Sequence, residues 1–247
     1  MEEVMTAQFW ASLMAIIGVN IVLSGDNAVV IALAARSLPP KQQKAAIFWG
    51  SSAAIVMRII LTIVAVELLR LPYLKLVGAA LLLYIAVQLL LPEDEGDDGG
   101  PATGSLLSAI RTILVADLVM SLDNVIGVAA AAKGSLLLLI LGLAISIPLV
   151  IFGSTLLVKV MERYPIIITL GAALLGWVAG DMAVTDPAVK DWVDANAAWL
   201  HTAAPALGAI LVVAAGKWLA ARAEAEEQAE PAVDLAKADP PGGNSGT

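Results

Sequence analysis

The sequence predicts an all-α, polytopic membrane protein: seven transmembrane helices, arranged as a 3+3 inverted-topology repeat plus one extra helix. Three observations lead there: long apolar blocks, short connections between them, and a polar motif that occurs twice. The chain has 247 residues, of which 60% are hydrophobic and only 15% charged, and a mean hydropathy of +0.88. A soluble domain carries about 25% charged residues. Several of the apolar blocks exceed the roughly 20 residues needed to cross a bilayer core.

The blocks place spans at about 9–35, 45–69, 73–91, 106–132, 136–158, 165–182 and 203–221. Residues 92–104 read as an acidic, Gly-rich linker, and 223–247 as a disordered tail too poor in apolar residues to bury a core. The expected units are therefore 1–91 (first three-helix repeat), 92–104 (linker), 105–184 (second repeat), 185–222 (loop and seventh helix) and 223–247 (tail). The opening Met1-Glu2-Glu3 lacks the positive region of a signal peptide, so the first block is expected to stay as a helix.

Orientation follows from Lys and Arg. With the N-terminus outside, the inside segments hold Arg36, Lys41, Lys44, Arg111, Lys159, Arg163, Lys217, Arg222 and Lys237. The outside loops hold Arg70, Lys75, Lys133 and Lys190, and Arg58 lies within a span. Nine against four predicts N-out, C-in. The net charge of −8 is concentrated in Glu93–Asp98 and the tail, with no basic stripe for nucleic acid. With no cysteine, disulfides, thiolate metal sites and redox thiols are excluded.

The repeat is visible residue by residue. Asn20-Ile-Val-Leu-Ser-Gly-Asp-Asn27 matches Asp117-Leu-Val-Met-Ser-Leu-Asp-Asn124 at an offset of 97. Downstream, Gly78-Ala-Ala-Leu-Leu-Leu-Tyr-Ile-Ala86 matches Gly171-Ala-Ala-Leu-Leu-Gly-Trp-Val-Ala179 at an offset of 93. Spans one to three recur as four to six. Three is odd, so the second copy enters the membrane from the opposite side, the plan of many secondary transporters.

Asp26, Asp117 and Asp123 all fall within spans, where a carboxylate costs roughly 2.5–3.5 kcal/mol or more. Three carboxylates against Arg58 leave negative charge that a bound cation would balance. Arg58 itself is read either as a structural partner of one Asp or as a gating counter-charge. On a regular helix Asp117, Ser121 and Asn124 share one face, as do Asn20, Ser24 and Asn27, whereas Asp26 and Asp123 point elsewhere. A helix break near each motif would re-aim them; Gly25 favours one in the first copy and Leu122 does not in the second. The donors are carboxylate, amide and hydroxyl oxygens, which suit Mg²⁺, Ca²⁺ or Mn²⁺. The only histidine, His201, falls at the edge of the last span. Met120, between two aspartates, is read as packing before soft ligand. Asp181 closes span six as an interfacial or vestibule carboxylate.

These motifs, Ser24-Gly-Asp-Asn-Ala28 and Ser121-Leu-Asp-Asn124 with Arg58 and the Gly-Ala-Ala-Leu-Leu stretches, resemble the TerC family of bacterial membrane proteins, in its shorter, YjbE-like branch. The resemblance covers about residues 10–220. It implies a member of the LysE-type transporter superfamily that exports Mn²⁺, with metal positions at Asp26, Asn27, Asp117, Asp123 and Asn124, and accessory positions at Asn20, Ser24, Ser121, Arg58 and Asp181. The family pattern is often acidic where this chain has Asn20, which removes one charge from the first copy. No enzyme activity or cofactor is expected; the partners are the metal ion, the lipid bilayer and, compatibly, further copies of the chain. Alternatives are exchange of Ca²⁺ or another divalent cation for protons, or a non-transporting subunit of a metal or tellurite stress-resistance complex. An intramembrane aspartyl protease is disfavoured because Ala179-Gly-Asp181 and Ser24-Gly-Asp26 lack the first Gly of a Gly-x-Gly-Asp motif.

Overall fold

Apolar runs broken by Pro, Gly and Ser fold into nine helices among the described residues. These are α1 (Ala7–Leu23), α2 (Gly25–Ala35), α3 (Pro40–Leu68), α4 (Leu74–Gln88), α5 (Leu106–Ala132), α6 (Leu136–Arg163), α7 (Ile166–Val184), α8 (Lys190–Asn196) and α9 (Leu200–Ala229). The computed structural model describes residues 7–23, 25–68, 71–91, 105–132 and 135–229. Within the helices, the side chains of 7, 8, 20–23, 64–68, 123, 125–132, 136, 224 and 226–229 are outside the description. The linker 92–104 and residues 230–247 of the expected tail lie outside the described residues altogether.

Local chemistry sets the helix starts. Ser105 Oγ accepts the Ser108 N–H at 3.1 Å and Ser135 Oγ accepts the Leu138 N–H at 3.3 Å, each satisfying a first-turn donor that has no partner within its helix. Pro40 opens α3, where a missing N–H is harmless.

Among the described residues, four helices are long and apolar enough to cross a bilayer: Pro40–Ile63, Leu137–Arg163, Ile166–Val184 and Leu200–Ala223. Phe9–Val19, Gly25–Ala35 and Leu74–Gln88 are shorter apolar helices. The third expected span is thus covered by a shorter piece. The 15 residues of α4 reach about 22 Å, less than the roughly 30 Å of a hydrocarbon core. The 27 residues of α5 reach about 40 Å.

Two features differ from the sequence reading. Residues 223–229, placed in the tail, continue α9 to Ala229, because Ala, Glu and Gln keep high helix propensity without an apolar face. The loop before the last span contains a short helix, α8.

Helices α3 and α5 run parallel: Gly50 packs on Ile113, and further along Arg58 reaches Asp117 and Ser121. A Cβ on Gly50 would lie 2.8 Å from Ile113 Cδ1, so glycine is what lets this contact close. A Cβ on Gly142 of α6 would likewise collide with Ile16 of α1. Helices α7 and α9 pack antiparallel: Gly176 meets Gly208 and Gly180 meets Ala204, backbone against backbone, the small-residue packing used where lipid supplies no hydrophobic drive.

The main core gathers Leu33, Ile47, Leu82, Ile113, Met161 and Leu175, and a second cluster joins Leu13, Ile16, Ile55 and Leu143. Outside lies an apolar surface including Trp49, Ile63, Phe152 and Ile210. A soluble monomer rarely exposes apolar area on that scale; a hydrocarbon solvent accommodates it.

Candidate functional site

The two motifs sit on different local structures. In the first, α1 and α2 flank Ser24, which lies outside the described residues. The Asn27 N–H donates to Asp26 Oδ1 at 2.8 Å, as an N–H of a first helical turn does. Asp26 is half-buried and Asn27 buried in the first turn of α2. In the second copy the break is absent: α5 continues without interruption through Asp117, Ser121, Asp123 and Asn124. Leu122 stands where the first copy has Gly25, and nothing there removes a helical hydrogen bond.

The uninterrupted turn of α5 puts Asp117 and Ser121 one above the other. Ser121 Oγ donates to Asp117 Oδ2 at 3.1 Å. From α3, Arg58 Nε donates to Ser121 Oγ at 3.0 Å, and Nη2 closes an ion pair on Asp117 Oδ1. Relative exposures are 3% for Arg58, 5% for Asp117 and 0% for Ser121, so this is a closed triad with both Asp117 oxygens engaged. Such a pair survives burial only when both charges are paired and hydrogen-bonded. Arg58 of the first half and Asp117 and Ser121 of the second therefore form one ionic centre.

The remaining sequence candidates divide. The side chains of Asn20 and Asp123 lie outside the described residues, and Asn124 is half-buried. Among the described residues, no group of three His, Cys, Asp or Glu side chains is positioned to hold a metal ion. Asp181 is exposed at the end of α7. Met120 is buried in the core, as packing would have it. His201 of α9, half-buried, pairs with exposed Asp194 of α8 across 2.6 Å.

One buried carboxylate escaped the sequence reading. Asp186, in the turn after α7, accepts N–H bonds from Tyr73 (2.9 Å), Lys75 (3.0 Å), Leu76 (3.1 Å) and its own neighbour Ala188 (2.7 Å). It caps the start of α4 from a distant loop and holds Tyr73 at φ 68°. Burial pushes its carboxyl up, but the four N–H donors outweigh that and leave it below the ordinary carboxylate range. Thr185-Asp-Pro187 signals a turn; no local pattern signals its distant partner.

Apolar helices enclosing a buried Arg-Asp-Ser triad define an integral membrane protein with an ionic centre among its helices. Comparison gives the family. The profile described as "Integral membrane protein TerC family" matches residues 5–224, and the chain belongs to the TerC family. It is 46% identical over 182 residues to the membrane protein YjbE of Bacillus subtilis (strain 168), covering 74% of this chain and 83% of that one. It is 23% identical over 221 residues to membrane protein YkoY of the same organism, covering 82% and 68%. The UPF0053 inner membrane protein YoaE of Escherichia coli (strain K12) is 28% identical over 194 residues, 71% of this chain but 37% of that longer one. No solved structure matches the chain significantly.

Proposed function

We propose that this protein carries a divalent metal cation across the bacterial inner membrane, most directly Mn²⁺ outward, in exchange for protons. The observation that carries the reading is the buried triad in which Arg58 of the first half closes on Asp117 and Ser121 of the second, among apolar helices. Carboxylate and hydroxyl oxygens are the donors a hard or borderline divalent ion prefers, and an ionisable cluster inside apolar helices marks an ion path by default. The transported site is taken as Asp26, Asn27, Asp117, Asp123 and Asn124, with Asn20, Ser24, Ser121 and Arg58 around it.

The 3+3 inverted repeat belongs to the same reading. It is supported by a reciprocal contact: Ile16 of the first half packs on Gly142 of the second, and Ile113 of the second packs on Gly50 of the first. Ile16 and Ile113 are 97 positions apart, the offset of the motifs themselves. The parallel course of α3 and α5 supports it too, since one intervening crossing through α4 would bring the chain back to the side from which α3 starts.

Uptake of Mn²⁺ into proteoliposomes holding the purified chain tests the reading. Flux that Asp26→Asn abolishes is the expected result. Wild-type vesicles as tight to Mn²⁺ as empty ones would leave instead a non-transporting subunit. Flux of Ca²⁺ in preference to Mn²⁺ would reassign the substrate.

A further inference from the structure

Ser51 of α3 is only 1% exposed, and its hydroxyl has no hydrogen-bond partner among the described residues. On a helix that is avoidable. A serine or threonine there can donate to the carbonyl one turn back, and four others do so. Thr62 bonds Arg58 O at 2.7 Å, Ser146 bonds Gly142 O at 2.8 Å, Ser154 bonds Val150 O at 2.8 Å and Thr155 bonds Ile151 O at 2.7 Å. Ser51 makes no such bond to the Ile47 carbonyl. A buried polar group held without a partner costs stability and calls for a reason.

The place of Ser51 in the fold supplies one. Gly50 packs on Ile113 and Arg58 bonds Ser121, two pairs with the same offset of 63 positions. The parallel helices α3 and α5 therefore keep one register along this stretch. In that register Ser51 is level with Leu114, three residues before Asp117, or about 4.5 Å along the axis. Ser51, Ala54 and Arg58 recur at helical spacing on one buried face of α3. The hydroxyl thus lies in the same seam as the triad, on the side toward Pro40. Both Asp117 oxygens are engaged, Oδ1 by Arg58 and Oδ2 by Ser121, whereas the Ser51 oxygen is not. Two oxygens on one divalent ion stand as much as about 4–5 Å apart, a span that matches the axial step from Ser51 to Asp117.

We infer that Ser51 is a further oxygen ligand of the divalent cation, shared with Asp117 as the ion enters or leaves the triad on its Pro40 side. The inference rests on the metal-transport reading and deepens it by adding a ligand outside the two repeated motifs. A neutral hydroxyl coordinates through an oxygen lone pair, losing no proton and adding no charge. It holds an ion weakly enough to pass it on.

The test measures Mn²⁺ and Cd²⁺ binding to the full chain in detergent, with thermal unfolding, for wild type, Ser51→Ala and Ser51→Cys. Ser51→Ala removes a hydroxyl that bonds no described residue, so the unfolding temperature stays level or rises. Mn²⁺ affinity falls about tenfold or more, the loss that follows even when only an indirect support of a metal ligand is removed. Ser51→Cys keeps the size of the side chain and exchanges a hard oxygen for a soft sulfur. The chain has no cysteine, so a thiolate-to-cadmium charge-transfer band in the ultraviolet comes from position 51 alone. That band appears, and the ratio of Cd²⁺ to Mn²⁺ affinity rises above the wild-type value. Folded Ser51→Ala that binds Mn²⁺ as wild type does overturns the inference, because the hydroxyl then only fills space. Ser51→Cys decides the case in which Ser51→Ala does not fold: no band and an unchanged ratio overturn the inference as well. Wild-type protein that binds no Mn²⁺ overturns the transport reading and this inference with it, a result distinct from equal binding by wild type and Ser51→Ala.

Discussion

Arg58 of α3 and Asp117 of α5 close a buried ion pair, bridged by Ser121, that joins the two halves of the chain. Removing one partner strands the other. Asp117→Asn leaves a buried guanidinium without its counter-charge, and breaking such a pair costs about 3–5 kcal/mol. Thermal unfolding in detergent should show that loss. Arg58→Gln/Asp117→Asn should recover most of it, since two neutral amides need far less solvation than one unpaired charge. A double variant no more stable than Asp117→Asn would show that the cost lies in shape and not in charge.

The reciprocal glycine contacts give a test of the repeat with no natural background, because the chain has no cysteine. Ile16→Cys with Gly142→Cys, and Ile113→Cys with Gly50→Cys, each place two thiols where an isoleucine now packs on a glycine, the smaller cysteine making room for the added Cβ. Both pairs should cross-link on mild oxidation in membranes. Cross-linking of one pair and not the other would mean that only one of these two contacts forms as described.

Asp186 predicts a pH dependence outside the membrane-spanning segments. Its carboxyl is held below the ordinary range by N–H donors, so it adds stability above the unfolded value of about 3.9 and loses it as pH falls through the lower folded value. At neutral pH the cap is fully present. Asp186→Ala should cost about 1–2 kcal/mol, in the range of a lost helix cap. Hydrogen exchange at 73–76 should then accelerate, while exchange in α6 stays as it was. Equal acceleration throughout would assign Asp186 to global stability instead of to the start of α4.

Much of this was legible because it is local. Apolar runs, helix-face arithmetic for Asp117 and Ser121, and the doubled motif all follow from short stretches of chain. That Arg58 would meet an aspartate also followed from charge, but which aspartate, and whether as scaffold or counter-ion, depended on how closely α3 approaches α5. Gly50 sets that distance, and nothing in its own neighbourhood announces Ile113. Asp186 went unseen for the same reason: three of its four donors are more than a hundred residues away in the chain. The end of α9 was misplaced because Ala-Glu-Gln composition is shared by solvated helices and disordered tails. A helix break near each motif would re-aim Asp26 and Asp123, but α5 runs unbroken through the second motif, where Leu122 stands in place of Gly25.

Export sets an energetic requirement that the centre must meet. Moving a divalent cation from a negative interior to a positive exterior opposes the membrane potential by about 2.3 kcal/mol per charge per 100 mV, roughly 4.6 kcal/mol for two charges. The sequence holds no Walker motif to draw that from a nucleotide. Entering protons can supply it if the same carboxylates bind metal when ionised and are neutralised by protons for the return. Metal and proton then compete for one centre, and each drives the other across. Asp117 is the first candidate for this exchange, since its repeat partner is the uncharged Asn20. Asp117→Asn should therefore leave a Mn²⁺ flux that no longer responds to pH, whereas Asp26→Asn or Asp123→Asn should abolish flux. Proteoliposomes with an imposed pH gradient separate these outcomes. Wild-type flux indifferent to the gradient would remove proton coupling and leave diffusion down the metal's own gradient, which could not export against the potential.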